Sequence, residues 1–338
     1  MNLGVRFLEE NRSRLGLERL GLSGKMTSLL ITPRFRASAH VVALVFPDEG
    51  RVPAVAVKIA RLRDSRTLSR EAAVLQHAGP LHRSPRSIPE VVALEHCHGY
   101  PLLVQTALVG PPMDPASVRR DPTRCVSAAV EWLCGFPAET SPSREPDWLE
   151  RLIVRPLRQF GRWLGETNDN HQFAERAIAI AEDVSPSDIP RIVEHGDLSH
   201  PNLIWLPNGD LGVVDWELGK SDGLPGHDLF LFLAYVAGAR AHAGSPESHA
   251  GAYRSAFATD GWALAAARDY AHRVGVADDL LPALAVLAWS RYVTGLSERL
   301  RVPALAEQPG ETEIRAWIDS HRYAAIWREA ITFAESRR

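Results

Sequence analysis

The chain has 338 residues, 45% of them hydrophobic and 23% charged, which is enough apolar content to bury a substantial core in two lobes or domains. A net charge of -3 and a pI near 6.5 exclude a surface built on concentrated Lys and Arg, so neither nucleic acid nor a membrane is expected as a partner. Cys97, Cys125 and Cys134 are odd in number and lack CxxC spacing, which predicts reduced thiols instead of a disulfide framework or a zinc site.

The opening residues, MNLGVRFLEENRSRLG, put acids and arginines where an export signal needs an apolar run. The apolar runs 229–239 and 280–289 fall short of the ~20 residues that cross a bilayer and read as buried helices. A cytoplasmic, reducing location is expected.

Three β-rich runs come first, at 28–32, 40–46 and 54–59, separated by turn formers, and they predict an antiparallel meander. A helix is predicted over 65–77, where Leu68, Ala72 and Leu75 recur on one face. The runs 91–96 and 102–106 flank His98-Gly99-Tyr100-Pro101 and read as a hairpin that completes a five-stranded sheet. After Gly110-Pro111-Pro112 the pattern turns helical, notably over 126–133, 149–164 and 173–183, with a polar, Pro-rich surface loop at 136–146. The fold class is therefore α+β, a small sheet-plus-helix lobe followed by a larger, mainly helical one.

The chemistry concentrates in EHGDLSHPNLIWLPNGDLGVVDWELGKSDGLPGHDLFLF, Glu194 to Phe232. The runs 203–206 and 211–214 predict a hairpin with a two-residue turn at Asn208-Gly209. Asp197 and Asn202 precede that hairpin and Asp215 ends it. Phosphoryl transfer to an alcohol needs a carboxylate to receive the hydroxyl proton and oxygen ligands that fix a divalent cation against the phosphates, and a loop ending in a hairpin can present all of them. Taken singly, each of these residues more often caps a turn, and His195 and His200 more often pack in loops. For His200 the surface reading is preferred. Asp228, just before LFLFLAYV, reads as a helix N-cap.

Asp197 and Asn202 have D-x-x-x-x-N spacing, and Val214-Asp215-Trp216-Glu217 follows. Here the chain resembles the aminoglycoside phosphotransferase and choline kinase family, whose signature is H-G-D-x-x-x-x-N and then I/V-D-W/F-E. The resemblance runs in recognisable order over residues 28–236. It implies a bilobal protein kinase-like fold, with a nucleotide-binding small lobe over residues 1–107 and a catalytic, acceptor-binding large lobe over 108–338. It also implies that Asp197 is the catalytic base, that His195 organises its loop, that Asn202 and Asp215 hold Mg²⁺, and that Asp228 braces the loop from its helix.

The small lobe offers a separate test. Lys58, one of three lysines in the chain, stands in the apolar run AVAVKIA. An ammonium kept inside a strand, in a chain that otherwise uses Arg, suggests contact with the phosphates of ATP, with Glu71 on the following helix fixing it. The bland alternative is a snorkelling edge lysine and a solvated glutamate. Between the first two strands PRFRASAH has no glycine, yet Ser38 and its small neighbours would let backbone N–H groups approach phosphate; Arg34 or Arg36 could add charge, although the solvated reading is preferred for both. By analogy with the hinge of this fold, Gln105 and Ala107 would meet the base, with GTP not excluded.

Twelve residues separate Asp215 from Asp228 and no A-P-E sequence follows, so the platform that protein kinases build for a polypeptide is missing. A small-molecule hydroxyl is the expected acceptor. Residues 227–338 hold 13 Asp plus Glu against 12 Lys plus Arg, too balanced to favour a polycation. Tyr253, Phe257, Trp262, Trp289, Tyr292, Trp317 and Trp327 would suit a partly apolar acceptor, although core packing explains each one better. Two alternatives stand beside this reading. One is a kinase that phosphorylates Ser or Thr of a precursor peptide before dehydration, and the other is a non-catalytic nucleotide-binding scaffold.

Overall fold

The computed structural model describes residues 3–31, 40–138, 147–165, 168–301 and 310–337. Ser38, Arg34 and Arg36 lie outside these residues, as does most of the Pro-rich loop. The chain forms two compact units, residues 1–112 with 201–221, and residues 113–200 with 222–338.

In the first unit, helix α1 (Leu3–Glu10) precedes the strands β1 (Met26–Ile31), β2 (His40–Pro47) and β3 (Val55–Ala60), then helix α2 (Thr67–Leu81), then β4 (Val91–Cys97) and β5 (Tyr100–Thr106). The five strands make one antiparallel sheet in the order β1-β2-β3-β5-β4, so the second arm of the β4–β5 hairpin lies beside β3. Alternation along the strands sends Ala43, Val45, Val55, Val57, Leu102 and Val104 into a core that also holds Val5, Phe7 and Leu8 of α1. Each large apolar side chain taken fully out of water contributes about 1.5–3 kcal/mol. Helix α1 was not among the expected elements, and its apolar face closes this core. The β4–β5 turn is tighter than expected. Its two residues, His98 and Gly99, both have left-handed backbone (φ 51° and 83°), which matches the right-handed twist of the strands.

The hairpin Leu203–Trp205 and Leu211–Val213 also belongs to the first unit. Its turn is not the two-residue Asn208-Gly209 connection that the sequence predicts but the longer Pro207-Asn208-Gly209. Gly209 N–H donates to Leu206 O, Leu206 N–H donates to Asp210 O, each at 2.9 Å, and Gly209 takes φ 88°. Pro207 presets the second position of a tight turn and Gly209 supplies the left-handed residue that returns the strand.

The second unit is built of helices: α3 (Pro115–Arg120), α4 (Pro122–Leu133), α5 (Arg155–Leu164), α6 (Asp169–Glu182), α7 (His227–Arg240), α8 (Pro246–Ala256), α9 (Trp262–Val274), α10 (Leu281–Arg301), α11 (Glu311–Asp319) and α12 (Arg322–Glu335). Asp114 and Asp121 cap α3 and α4 by accepting from Ser117 N–H and Arg124 N–H, with a proline next in chain each time. The single helix predicted over 149–164 opens instead as a wide turn, Glu150–Val154. Pro156 removes one ladder donor there and displaces the carbonyl four residues back.

Helix α7 is buried on nearly every side, and α10 buries Leu284, Leu287, Trp289 and Tyr292. The segment Asp278–Arg301 is longer than the 280–289 run suggested, and its length and composition alone would let it cross a membrane. Its apolar window is 72% buried within the protein, as expected of a core helix. Tyr253, Phe257, Trp289, Tyr292 and Trp327 are likewise core residues, whereas Trp317 is exposed. Cys97, Cys125 and Cys134 are all free thiols, with Cys125 buried and the others half-buried.

Candidate functional site

Lys58 sits in the middle of β3, opposite Val42 and Leu103, and is 3% exposed. Its ammonium lies 2.6 Å from Glu71 Oε1 on α2 and 2.5 Å from Asp215 Oδ1. Burial works against the charge on Lys58, but Asp215 and then Glu71 outweigh it and raise its pKa, so it stays an ammonium. The sequence-predicted Lys58, Glu71 and Asp215 thus meet within the first unit. Asp215 follows the strand Leu211–Val213 in left-handed backbone (φ 67°), a conformation that Asp tolerates better than most residues. The next residue, Trp216, is fully buried and donates its indole N–H to Val213 O at 3.0 Å, which anchors the turn.

Two further side chains join this cluster. His40 Nε2 lies 3.9 Å from Asp215 Oδ1, and His40 Nδ1 lies 3.4 Å from Glu217 Oε2. Burial, with Lys58 adding to it, lowers the His40 pKa to about 4, so the ring is neutral near pH 7. One donor atom each from His40, Asp215 and Glu217 fall within 4.8 Å of one another. Sequence reasoning passed over His40, which looks like the last residue of a loop. Glu217 was visible only as part of the V-D-W-E step. Asn202, buried, accepts from Val214 N–H at 3.0 Å through its backbone carbonyl, which ties its segment to the hairpin. Carboxylate and amide oxygens are the hard donors that Mg²⁺ accepts, and Asp215, Glu217 and Asn202 each carry one.

Gln105 and Ala107 also lie in the first unit. Gln105 is 3% exposed on β5, and its Oε1 meets no hydrogen-bond donor among the described residues. A buried amide oxygen without a donor is costly, so this position suits a ligand that brings an N–H. Ala107 N–H is already committed to Ala54 O at 3.0 Å, and Thr106 N–H to Glu90 O at 2.9 Å. Neither amide is open to a nucleotide base.

His195, Asp197 and Asp228 come together in the second unit. Gly226, not Asp228, is the N-cap of α7. Asp228, two residues further on, turns to the loop instead, where its Oδ2 accepts from His195 N–H at 2.6 Å and its Oδ1 from Gly196 N–H at 2.8 Å. The N-cap expectation therefore fails because the start of the helix is left-handed glycine, which frees the carboxylate. Burial and then the charge of Glu194 push the Asp228 pKa up to about 8. His195 is 1% exposed and accepts Asp197 N–H on Nδ1 at 3.2 Å. Asp197 itself is half-buried, and Ser199 closes the loop by donating its N–H to Asp197 O at 2.9 Å.

Under this loop lies a buried ion pair that no sequence motif announced. Glu194, fully buried, receives both terminal nitrogens of the Arg291 guanidinium, one of them at 2.6 Å, and Leu224 N–H at 3.1 Å. Burial alone would raise the Glu194 pKa, but Arg291 foremost, with His227 behind it, holds the pKa down to about 2. His227 stacks on Tyr292 at 4.1 Å between ring centroids. Arg291 is 97 residues from Glu194 along the chain, so nothing local in the sequence connects them.

The second unit also contains a cavity of about 410 Å³ whose lining includes Ser199 and His200, two and three residues after Asp197. His200 is exposed, as preferred from the sequence, but it stands at the rim of this cavity. Ser199 Oγ is 3.4 Å from Asp197 Oδ1, so the cavity opens beside that carboxylate.

A family model described as "Phosphotransferase enzyme family" matches residues 36–270. A search of curated proteins finds no sequence match. Among solved structures, a protein described as a fructosamine-3-kinase of Haemophilus somnus 129PT is similar at 13% identity and a TM-score of 0.53, over 96% of this chain and 96% of that one. A choline kinase of Streptococcus pneumoniae is similar at 13% identity and a TM-score of 0.51, over 96% and 99%. A third, solved as a GDP and kanamycin complex, is similar at 12% identity and a TM-score of 0.50, over 97% and 98%. These likenesses show a protein kinase-like fold.

Proposed function

Because the chain belongs to the phosphotransferase enzyme family, we propose that it moves the γ-phosphoryl group of ATP onto a hydroxyl of a small molecule, with Asp197 receiving the hydroxyl proton. The observation that carries this reading is the buried Lys58 ammonium held between Glu71 and Asp215. A buried cation and carboxylate with a second, partly exposed carboxylate beside them cost desolvation and do little for stability, so the arrangement makes sense as a preformed phosphate and cation site. Asn202 and Asp215, with Glu217 beside them, would hold Mg²⁺, which neutralises charge on the phosphates. Lys58 would then contact the nucleotide phosphates, and Gln105 Oε1 would accept an N–H of the base. Ser38 would add backbone contact to the phosphates.

The acceptor oxygen forms a bond to the γ-phosphorus as the bond to the β,γ-bridging oxygen breaks, and ADP leaves. The hydroxyl proton passes to Asp197, whose loop is held by Asp228 and His195, and then to water. A cavity of about 410 Å³ beside Asp197 is of the size that encloses a small molecule, which favours such an acceptor over a peptide. The solved relatives support this choice only in that one is described as a choline kinase and another as a kanamycin complex.

Asp197→Asn tests the assignment. Phosphoryl transfer, read as ADP release and as acceptor mass gain, is expected to fall by about 10²–10⁴-fold while nucleotide affinity stays unchanged. Retained transfer would remove Asp197 from this role. A protein kept only as a nucleotide-binding scaffold would release no ADP with any acceptor.

A further inference from the structure

The cavity beside Asp197 carries a one-sided charge. Among the described residues its charged or chargeable lining is Arg119, Arg322, His200, His242 and His249, with no Asp or Glu. The whole chain has 41 acidic against 38 basic residues, so this is a local bias. Arginines of the second unit are commonly tied to carboxylates, as in Arg158–Glu150, Arg176–Glu335, Arg254–Glu329 and Arg273–Glu131. Arg119 and Arg322 have no ion-pair partner among the described residues. The Arg322 guanidinium lies instead over the Tyr323 ring, 5.3 Å from its centroid. Asp114, which precedes the lining residue Pro115, already accepts Ser117 N–H at 2.7 Å and Ser117 Oγ–H at 2.8 Å.

The remaining walls are apolar and aromatic, with Leu231, Tyr235, Trp289, Tyr323 and Ile326. Gly238 on α7 is what admits the His249 ring, because a Cβ there would stand 2.6 Å from His249 Nδ1. His242 at the rim holds left-handed backbone (φ 52°), an uncommon state for a side-chain-bearing residue that tends to persist where the surroundings over-determine it. Among the described residues a cationic acceptor would meet two guanidiniums and no lining carboxylate, with Asp197 beside the cavity reserved for the hydroxyl proton. An oxyanion would meet planar donors suited to it.

Resting on the phosphotransferase reading above, we infer that the acceptor is an alcohol that carries an anionic group, a carboxylate or a phosphate ester, on an aromatic or aliphatic body. The anion sits at Arg322 and Arg119, and the hydroxyl reaches Asp197. Charge thus separates this pocket from one made for aminoglycosides or choline, although the reaction is the same.

The test is calorimetric titration of the full chain with para-(hydroxymethyl)benzoate, para-(hydroxymethyl)phenyl phosphate and para-(hydroxymethyl)benzylamine, which share a body and differ in charge. The two anions are expected to bind at least about tenfold more tightly than the ammonium compound, and Arg322→Gln and Arg119→Gln to abolish that preference while leaving nucleotide binding unchanged. Whichever anion binds more tightly identifies the oxyanion. Equal or tighter binding of the amine, no binding of any of the three, or a preference that survives both substitutions would overturn the inference. ADP release in the same mixtures keeps the two claims apart. Turnover of the amine alone leaves the phosphotransferase reading intact and removes this one. Arg322-dependent anion binding together with no ADP release for any acceptor removes the phosphotransferase reading and leaves an anion-binding pocket that serves no transfer.

Discussion

Lys58 Nζ stands 2.5 Å from Asp215 Oδ1, 157 residues further along the chain, and 2.6 Å from Glu71. Removing the ammonium strands two carboxylates, one of them fully buried. Lys58→Met is expected to destabilise the protein by about 3–5 kcal/mol and to abolish phosphoryl transfer. Adding Glu71→Gln should recover a large part of the stability and none of the activity. Denaturant midpoints of the two single variants and the double variant measure the coupling, and additive losses would show that the three groups are independent.

The Arg291–Glu194 pair lies beneath the Asp197 loop, and both residues are shielded from water. Arg291→Met should cost about 3–5 kcal/mol because Glu194 is left buried and uncompensated, while Arg291→Met with Glu194→Leu should cost much less. Urea unfolding checks the ordering. If Arg291→Met alone is as stable as wild type, the pair contributes nothing to the fold.

The same pair sets an acid limit. Glu194 has its folded-state pKa depressed from the ordinary 4.5 to about 2. A depressed carboxylate contributes stability that is present above its unfolded pKa and is lost as pH falls through the folded one. Stability should therefore decline between pH 4.5 and about 2, and more steeply in wild type than in Glu194→Gln. Melting temperatures taken across that window compare the two slopes.

Asp228 accepts two successive amides with its two oxygens, and an asparagine offers only one oxygen for them. Asp228→Asn turns an N–H₂ group toward one backbone N–H and should loosen the loop that carries Asp197. The maximal rate should fall about tenfold or more with little change in nucleotide affinity, because Asp228 acts through the loop and touches no nucleotide group. Loss of nucleotide binding in equal measure would mark a general structural role.

Gly223 packs against the buried glutamate so closely that a Cβ would lie 2.3 Å from Glu194 Cβ. Gly223→Ala is expected to cost about 1–3 kcal/mol through this overlap. Gly244→Ala, with nothing within 4 Å of its Cβ position, serves as the neutral control. Thermal denaturation distinguishes them.

Much of the first unit was legible because its signals are local. Period-two alternation marked β2, β3 and β5, and Lys58 stood out because an ammonium inside an apolar strand contradicts the pattern around it. Helix α1 escaped notice because its apolar face has meaning only against the sheet core that it covers. The Asp228 cap reading failed for a related reason. Asp before an apolar run is a good local signal, but Gly226 takes the left-handed cap and the carboxylate finds backbone donors 32 and 33 positions earlier.

By itself the sequence determined the order of the strands along the chain, the buried lysine and the Asp197, Asn202 and Asp215 spacing, because each depends on residue type and distance along the chain. Tertiary structure alone decided that Lys58 joins Glu71 to Asp215, that His40 and Glu217 stand beside them, and that Arg291 neutralises Glu194. It also decided the positive lining of the cavity next to Asp197, which an almost balanced count of charges over 227–338 conceals. The reason is physical. Electrostatic energy depends on separation in space and on burial, and neither is a property of sequence position.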